Sequence, residues 1–150
     1  MTLLTGTSSA EIDAPIDRCW AVVEDVAGSP EWQQNGLEQV EVVERDDAGR
    51  ALVCDITHDA RFTKVRARVR VGYEPPHRLT VTRIASDDVD ELEASWELSE
   101  LGAGRTRATY SLAVDPGHVG MLGRPLERAL RPIVVGRRAE ELARAVAARG

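Results

Sequence analysis

The segment from Ser9 to Trp32 constrains the fold most, because a strand end, a helix and a second short helical turn follow one another within it. Pro15 comes directly after the strand and suits the first turn of a helix, where its missing N–H would have no intrahelical partner anyway. Apolar side chains then recur at helical spacing and predict one buried face: Ile16, Cys19, Trp20, Val23 and Val26. Gly28 and Pro30 end this helix and begin the shorter turn. The chain is therefore predicted to begin as a strand followed by two short helices.

Beyond this segment the hydrophobic pattern changes to period two, which is typical of strands that have one buried face. Short turns separate the apolar stretches and predict consecutive antiparallel hairpins. The first strand has no hairpin partner next to it in sequence, so we expect it to pair at an edge of the sheet. The predicted strands are Leu3–Asp13, Leu37–Arg45, Ala51–His58, Arg61–Tyr73, Arg78–Ala85, Val89–Leu101 and Arg105–Val114.

The fourth predicted strand, Arg61–Tyr73, alternates most strictly, with apolar side chains on one side and basic side chains on the other. The basic residues are Lys64, Arg66, Arg68 and Arg70. Such a row could bind a polyanion, but a solvated face with acidic partners on neighbouring strands is the simpler interpretation.

The last part of the chain predicts a long amphipathic helix that begins near Met121 and is kinked at Pro132, where the ring removes a helical hydrogen bond. Residues 121–150 contain seven arginines and three glutamates, a net charge of +4 in a chain whose total is −6. A basic helix of this kind is compatible with transient membrane contact or with ribosome binding, or is simply a solvated face. The isoelectric point near 5.1 argues against a nucleic-acid partner.

Length and composition are typical of a globular protein with a single domain. Its 150 residues are enough for a single domain spanning residues 1–150, and 43% of them are hydrophobic, as in ordinary globular proteins. The sequence has neither an apolar run of membrane-spanning length nor a signal-peptide pattern, so we expect a cytoplasmic protein. Cys19 and Cys54 lack a metal-binding or CxxC spacing and are predicted to be buried free thiols. No motif predicts a metal or a cofactor.

The order of elements predicts an α+β domain with two layers, because a curved antiparallel sheet packed on one long helix buries every apolar face. Several short motifs in this order resemble the START/Bet v 1-like (SRPBCC) helix-grip superfamily, in particular its bacterial polyketide cyclase/dehydrase and lipid-transport branch. These motifs are Ile12-Asp13-Ala14-Pro15, Cys19-Trp20-Ala21-Val22-Val23-Glu24-Asp25, Pro30-Glu31-Trp32, Trp96-Glu97-Leu98 and Gly104-Arg105-Thr106. The resemblance implies a curved seven-stranded antiparallel sheet wrapped around a long C-terminal helix, with a deep ligand cavity between them.

Alternate residues of a strand point to the same face, and this strand parity predicts which side chains would face such a cavity. His58 and Arg83 continue the inward rows of their strands, and Tyr73, Trp96 and Tyr110 lie on the predicted buried faces. In the last part of the chain, Met121 is predicted to be a flexible apolar residue at the cavity mouth, and Ile133 belongs to the apolar stripe of the helix. We expect these seven residues to line the cavity.

Three functions remain open at this point. The leading hypothesis is a carrier or other non-enzymatic protein that binds a hydrophobic small molecule such as a lipid, a polyketide or a quinone-like compound. The alternative is an enzyme of the polyketide aromatase/cyclase type, in which Arg83, Tyr110 and His58 orient an enolate and move protons. The third is an interaction protein that uses the basic helix. Fold resemblance alone does not choose between them.

Overall fold

The computed structural model describes residues 3–33, 36–59, 64–115, 117 and 137–149. After the first strand come one α-helix and one 3₁₀ helix, then six consecutive strands and a C-terminal helix. The strands are β1 (Leu4–Ile12), β2 (Leu37–Arg45), β3 (Ala51–Asp59), β4 (Lys64–Glu74), β5 (Arg78–Ala85), β6 (Glu91–Gly102) and β7 (Arg105–Asp115). The helices are α1 (Ile16–Glu24), the 3₁₀ helix Val26–Glu31 and α2 (Arg138–Arg149).

All seven strands form one antiparallel sheet in the order β1-β7-β6-β5-β4-β3-β2. The six later strands are hydrogen-bonded in chain order, as the hairpin turns predict. β1 pairs with β7, with Leu4 opposite Val114 and Ile12 opposite Thr106, and so occupies an edge. The predicted sheet and the edge position of the first strand are both confirmed.

The core lies between the inner face of the sheet and the helices. α2 packs on β1, β7 and α1, and its Leu142 and Val146 are almost fully buried. Cys19 of α1 and Cys54 of β3 are free thiols inside this core, as predicted, and burial raises the pKa of each. None of the helices in the described ranges is long and apolar enough to cross a membrane.

The outer face of β4 carries the basic row, and acidic side chains on β2 and β3 pair with part of it. Lys64 Nζ lies 2.7 Å from an oxygen of Glu38, and Arg68 Nε lies 2.8 Å from an oxygen of Asp55. The predicted acidic partner on a neighbouring strand is therefore present for Arg68, whose Asp55 is directly opposite on β3, whereas the partner of Lys64 lies on β2, two strands away.

Two predictions about boundaries have different outcomes. β6 begins at Glu91 rather than Val89, because Val89 belongs to the preceding turn: its N–H lies 3.1 Å from Ser86 Oγ and its carbonyl accepts from Arg83. The predicted start of the C-terminal helix near Met121 and its kink at Pro132 lie outside the described residues.

Candidate functional site

A cavity of about 100 Å³ lies against the inner face of the sheet. Strands β2 to β7 all contribute side chains to it, and α1, the 3₁₀ helix and the first residue of α2 complete its described wall. Most of the lining is aliphatic and includes Val69, Val71, Leu79, Leu92, Leu112 and Val114. The period-two pattern places these residues together, because alternate residues of each strand point to the same face.

Two of the predicted aromatic residues meet in the wall of this cavity. Trp96 on β6 is directly opposite Tyr110 on β7, and their ring centroids are 4.9 Å apart. The ring of Trp32 also contacts Trp96, with a centroid distance of 5.9 Å. Both pairs are tilted rather than stacked, which is a favourable arrangement for aromatic side chains. The three rings form a continuous aromatic wall.

His58 on β3 also lines the cavity. Burial disfavours its charged form, and the positive charge of Arg138 adds to this effect, so the pKa of His58 is lowered to about 3. At neutral pH the imidazole is therefore uncharged and carries one N–H donor and one nitrogen acceptor.

The structure does not bring Tyr73 and Arg83 to this cavity. The hydroxyl of Tyr73 donates to the carbonyl of Ala51 at 2.6 Å, and the Arg50 guanidinium lies 4.4 Å above its ring. Arg83 donates to the carbonyls of Val89 and Ser86 at 2.8 and 3.2 Å and so holds the turn between β5 and β6. The alternation along each strand predicted the correct face for both residues. Their side chains nevertheless miss the cavity, because they bind backbone carbonyls near the ends of strands. Met121 and Ile133 lie outside the described residues.

Arg138, which was not among the predicted site residues, forms the polar end of the cavity. It is only 3% exposed, its Nη1 donates to the side-chain oxygen of Gln33, and its guanidinium carbon lies 4.9 Å from the centroid of Tyr110. The sequence did contain a signal, because Arg138 precedes Leu142 and Val146 at intervals of four and shares their buried helix face. A charged residue within the apolar stripe of a helix indicates a side chain that faces the core.

The 3₁₀ helix places Gln33 and Trp32 beside this polar end. The N–H groups of both residues donate to the carbonyl of Ser29, at 3.0 and 3.2 Å, which fixes the turn that follows the helix. Asp25 accepts from the N–H of Gly28 at the start of the same helix. The indole Nε1 of Trp32 is buried and has no hydrogen-bond partner in the part of the chain that the structure describes. The Ser9–Trp32 segment therefore contributes to the site as well as to the fold.

Among the described residues of the cavity wall, Arg138 is the one that carries a charge. His58 is neutral for the reasons given above, and no aspartate or glutamate belongs to this part of the wall. Across the described ranges, no group of three or more histidine, cysteine, aspartate and glutamate side chains is arranged to hold a metal ion. The site therefore combines an apolar wall with one positive charge and several hydrogen-bond donors.

The basic character of the C-terminal region is partly neutralised in α2 and just before it. Arg137 lies 3.7 Å from Glu140, Arg149 lies 3.4 Å from Asp25, and Arg138 is buried. Arg144 is exposed on the outer side of α2. The hypothesis of ribosome or membrane association through this helix stays a prediction.

The fold is similar to several solved structures. The aromatase/cyclase Zhui from Streptomyces sp. R1128 aligns with a TM-score of 0.79 and 17% identity, over 99% of this chain and 96% of that chain. TTHA0849 from Thermus thermophilus aligns with a TM-score of 0.79 and 22% identity, over 97% and 99%. A START superfamily protein from Mycobacterium smegmatis aligns with a TM-score of 0.74 and 16% identity, over 98% and 99%.

Sequence comparison identifies the family. A search of curated proteins found no match. The sequence model of the family described as polyketide cyclase / dehydrase and lipid transport matches residues 12–136, which is most of the chain. This match covers more than half of the chain and shows that the chain belongs to the polyketide cyclase / dehydrase and lipid transport family.

Proposed function

We propose that the protein binds a hydrophobic small molecule, of the lipid, polyketide or quinone-like kind, in the cavity between the sheet and α2. The observation that carries this proposal is the continuous apolar wall that six strands build around an internal space. Apolar pockets with a few well-placed polar groups are the usual form of small-molecule sites. Membership of a family described by polyketide cyclisation and lipid transport supports the same class of ligand.

The size of the cavity sets a condition on binding. Its volume of about 100 Å³ is smaller than the roughly 150 Å³ of an engineered apolar cavity that binds benzene. Typical sites for drug-sized ligands measure about 300–1,000 Å³. A ligand larger than one aromatic ring therefore requires lining side chains to move when it enters.

A titration with the neutral fluorescent probe N-phenyl-1-naphthylamine tests the proposal. We expect saturable binding, with a rise in probe fluorescence as the naphthalene leaves water. Extraction of the purified protein with organic solvent, followed by mass spectrometry, should also release a co-purifying apolar compound. If the probe does not bind saturably and the extract holds no such compound, the proposal is wrong.

A matched pair of variants connects this binding to the cavity. Ala94 on β6 lines the cavity opposite Leu112, so Ala94→Phe fills the space and should weaken probe binding at least about tenfold, or about 1.4 kcal/mol. Ala113 on β7 belongs to the outer face, opposite Glu93, and Ala113→Phe should leave binding unchanged. Circular dichroism checks that both variants fold. Equal binding by the two variants would place the probe outside the cavity.

A second candidate function, cyclisation of a poly-β-ketone, is favoured by the polar groups that share the cavity. The neutral imidazole of His58 can donate a hydrogen bond to a reacting oxygen, and the charge of Arg138 can stabilise an enolate oxygen. In this mechanism Arg138 replaces Arg83, which binds the β5–β6 turn. Mass spectrometry of a poly-β-ketone thioester incubated with the protein would detect cyclised, dehydrated product. This function requires product formation that depends on both His58 and Arg138.

A further inference from the structure

The guanidinium of Arg138 is a buried positive charge that the described part of the chain does not neutralise. An arginine side chain does not lose its proton in proteins, so burial cannot be relieved by a change of protonation state. Its partners are the amide oxygen of Gln33 and the face of Tyr110, neither of which carries a negative charge. Glu141, three residues further along α2, is also buried, and the ion pairs among the described residues do not include one between it and Arg138. Buried charges are normally paired, so we expect an anion to bind beside Arg138.

The nitrogens that lack partners indicate the shape of that anion. Nη1 donates to Gln33, whereas Nε and Nη2 are buried and have no hydrogen-bond partner among the described residues. These two nitrogens lie on one edge of the planar guanidinium, which is the edge that binds two oxygens with parallel hydrogen bonds. The indole Nε1 of Trp32 is a further buried donor without a partner in the same cavity wall.

We propose that the ligand of this cavity is an apolar carboxylic acid whose carboxylate binds the Nε–Nη2 edge of Arg138. This inference rests on the proposed function and adds the polar group that the ligand carries. The carboxylate supplies the missing negative charge, and the apolar part of the molecule lies against the aliphatic and aromatic wall. The absence of any aspartate or glutamate from the described wall means that no other charge there repels the carboxylate.

Two isosteric probes test this assignment: 2-naphthoate and its neutral amide, 2-naphthamide. Each is titrated to displace N-phenyl-1-naphthylamine from the folded protein at pH 7. Hydrogen bonds to a charged partner are stronger than neutral ones, so we expect naphthoate to bind the wild-type protein about 10- to 100-fold more tightly than naphthamide. Arg138→Met should remove this preference while the affinity for naphthamide changes less than about threefold.

Arg144→Met is the matched control, because Arg144 is an exposed arginine of the same helix, and it should keep the wild-type preference for naphthoate. Arg138→Lys keeps the charge but loses the planar edge, so an intermediate preference is expected. If Arg138→Met does not fold, the wild-type and Arg138→Lys measurements still decide the question. Equal affinity of the wild-type protein for both probes, or a preference that survives Arg138→Met, would overturn the inference. Failure of N-phenyl-1-naphthylamine to bind, together with a solvent extract that holds no apolar compound, would instead refute the proposed function.

Discussion

His58 should make the protein less stable in mild acid. Its pKa is about 3 in the folded protein, because the ring is desolvated and Arg138 repels the imidazolium, and returns to about 6.5 when the chain unfolds. Between these two values the unfolded chain binds a proton that the folded chain does not bind. The stability that the neutral, desolvated ring provides is therefore fully present above pH 6.5 and is lost as the pH falls toward 3.

The size of this effect follows from the two pKa values. Each pH unit below 6.5 changes the free energy of unfolding by about 1.4 kcal/mol until the folded-state pKa is reached. At pH 5 the loss amounts to about 2 kcal/mol relative to pH 7. This figure holds for any folded-state pKa below about 4, so it does not depend on the full extent of the shift.

Urea denaturation at pH 7 and pH 5, followed by circular dichroism, measures the effect. Between pH 7 and pH 5 the free energy of unfolding of the wild-type protein should fall by about 2 kcal/mol more than that of His58→Gln, whose side chain does not titrate. His77→Gln is the control for removing a histidine, because His77 lies in the β4–β5 turn and outside the described cavity wall. If His58→Gln and the wild-type protein show the same dependence on pH, the imidazole is not desolvated and the reasoning fails.

Two further substitutions test the packing that supports the site. Thr106→Val should lower the free energy of unfolding by about 1–3 kcal/mol, because Thr106 Oγ1 donates to the buried carbonyl of Ala14 at 2.8 Å and valine leaves that carbonyl only the weak donor Cys19 Sγ at 4.0 Å. Leu142→Ala should lower it by about 2–5 kcal/mol, since this side chain is fully buried where α2 packs on the sheet. Urea denaturation at pH 7 measures both, and a loss below about 0.5 kcal/mol in either case would contradict the described packing.

The sequence predicted the strands and their pairing well, because both depend on patterns within short stretches of chain. The bounds of β2 and β5 are those that the alternation predicts, and β1 pairs at the edge as expected. The start of β6 was placed two residues too early. Nothing in the alternation shows that Ser86 and Arg83 hold the backbone of Val89 in the turn. Contacts between a side chain and a distant backbone group have no periodic signature.

The candidate site was predictable only in part. Parity identifies the face of a strand on which a side chain lies, and for His58, Trp96 and Tyr110 that face is the cavity wall. Parity does not give the hydrogen-bond partners near a strand end, and these hold Tyr73 and Arg83 away from the cavity.

The sequence by itself determined the fold class, the strand order and the family, because hydrophobic periodicity and short motifs are local properties of the chain. Only the tertiary structure decided which polar groups meet in the cavity. Arg138 and Gln33 are more than one hundred residues apart, and they meet because α2 packs beside the turn that follows the 3₁₀ helix. The charge of the site depends on that packing, and so does the class of ligand that the site can bind.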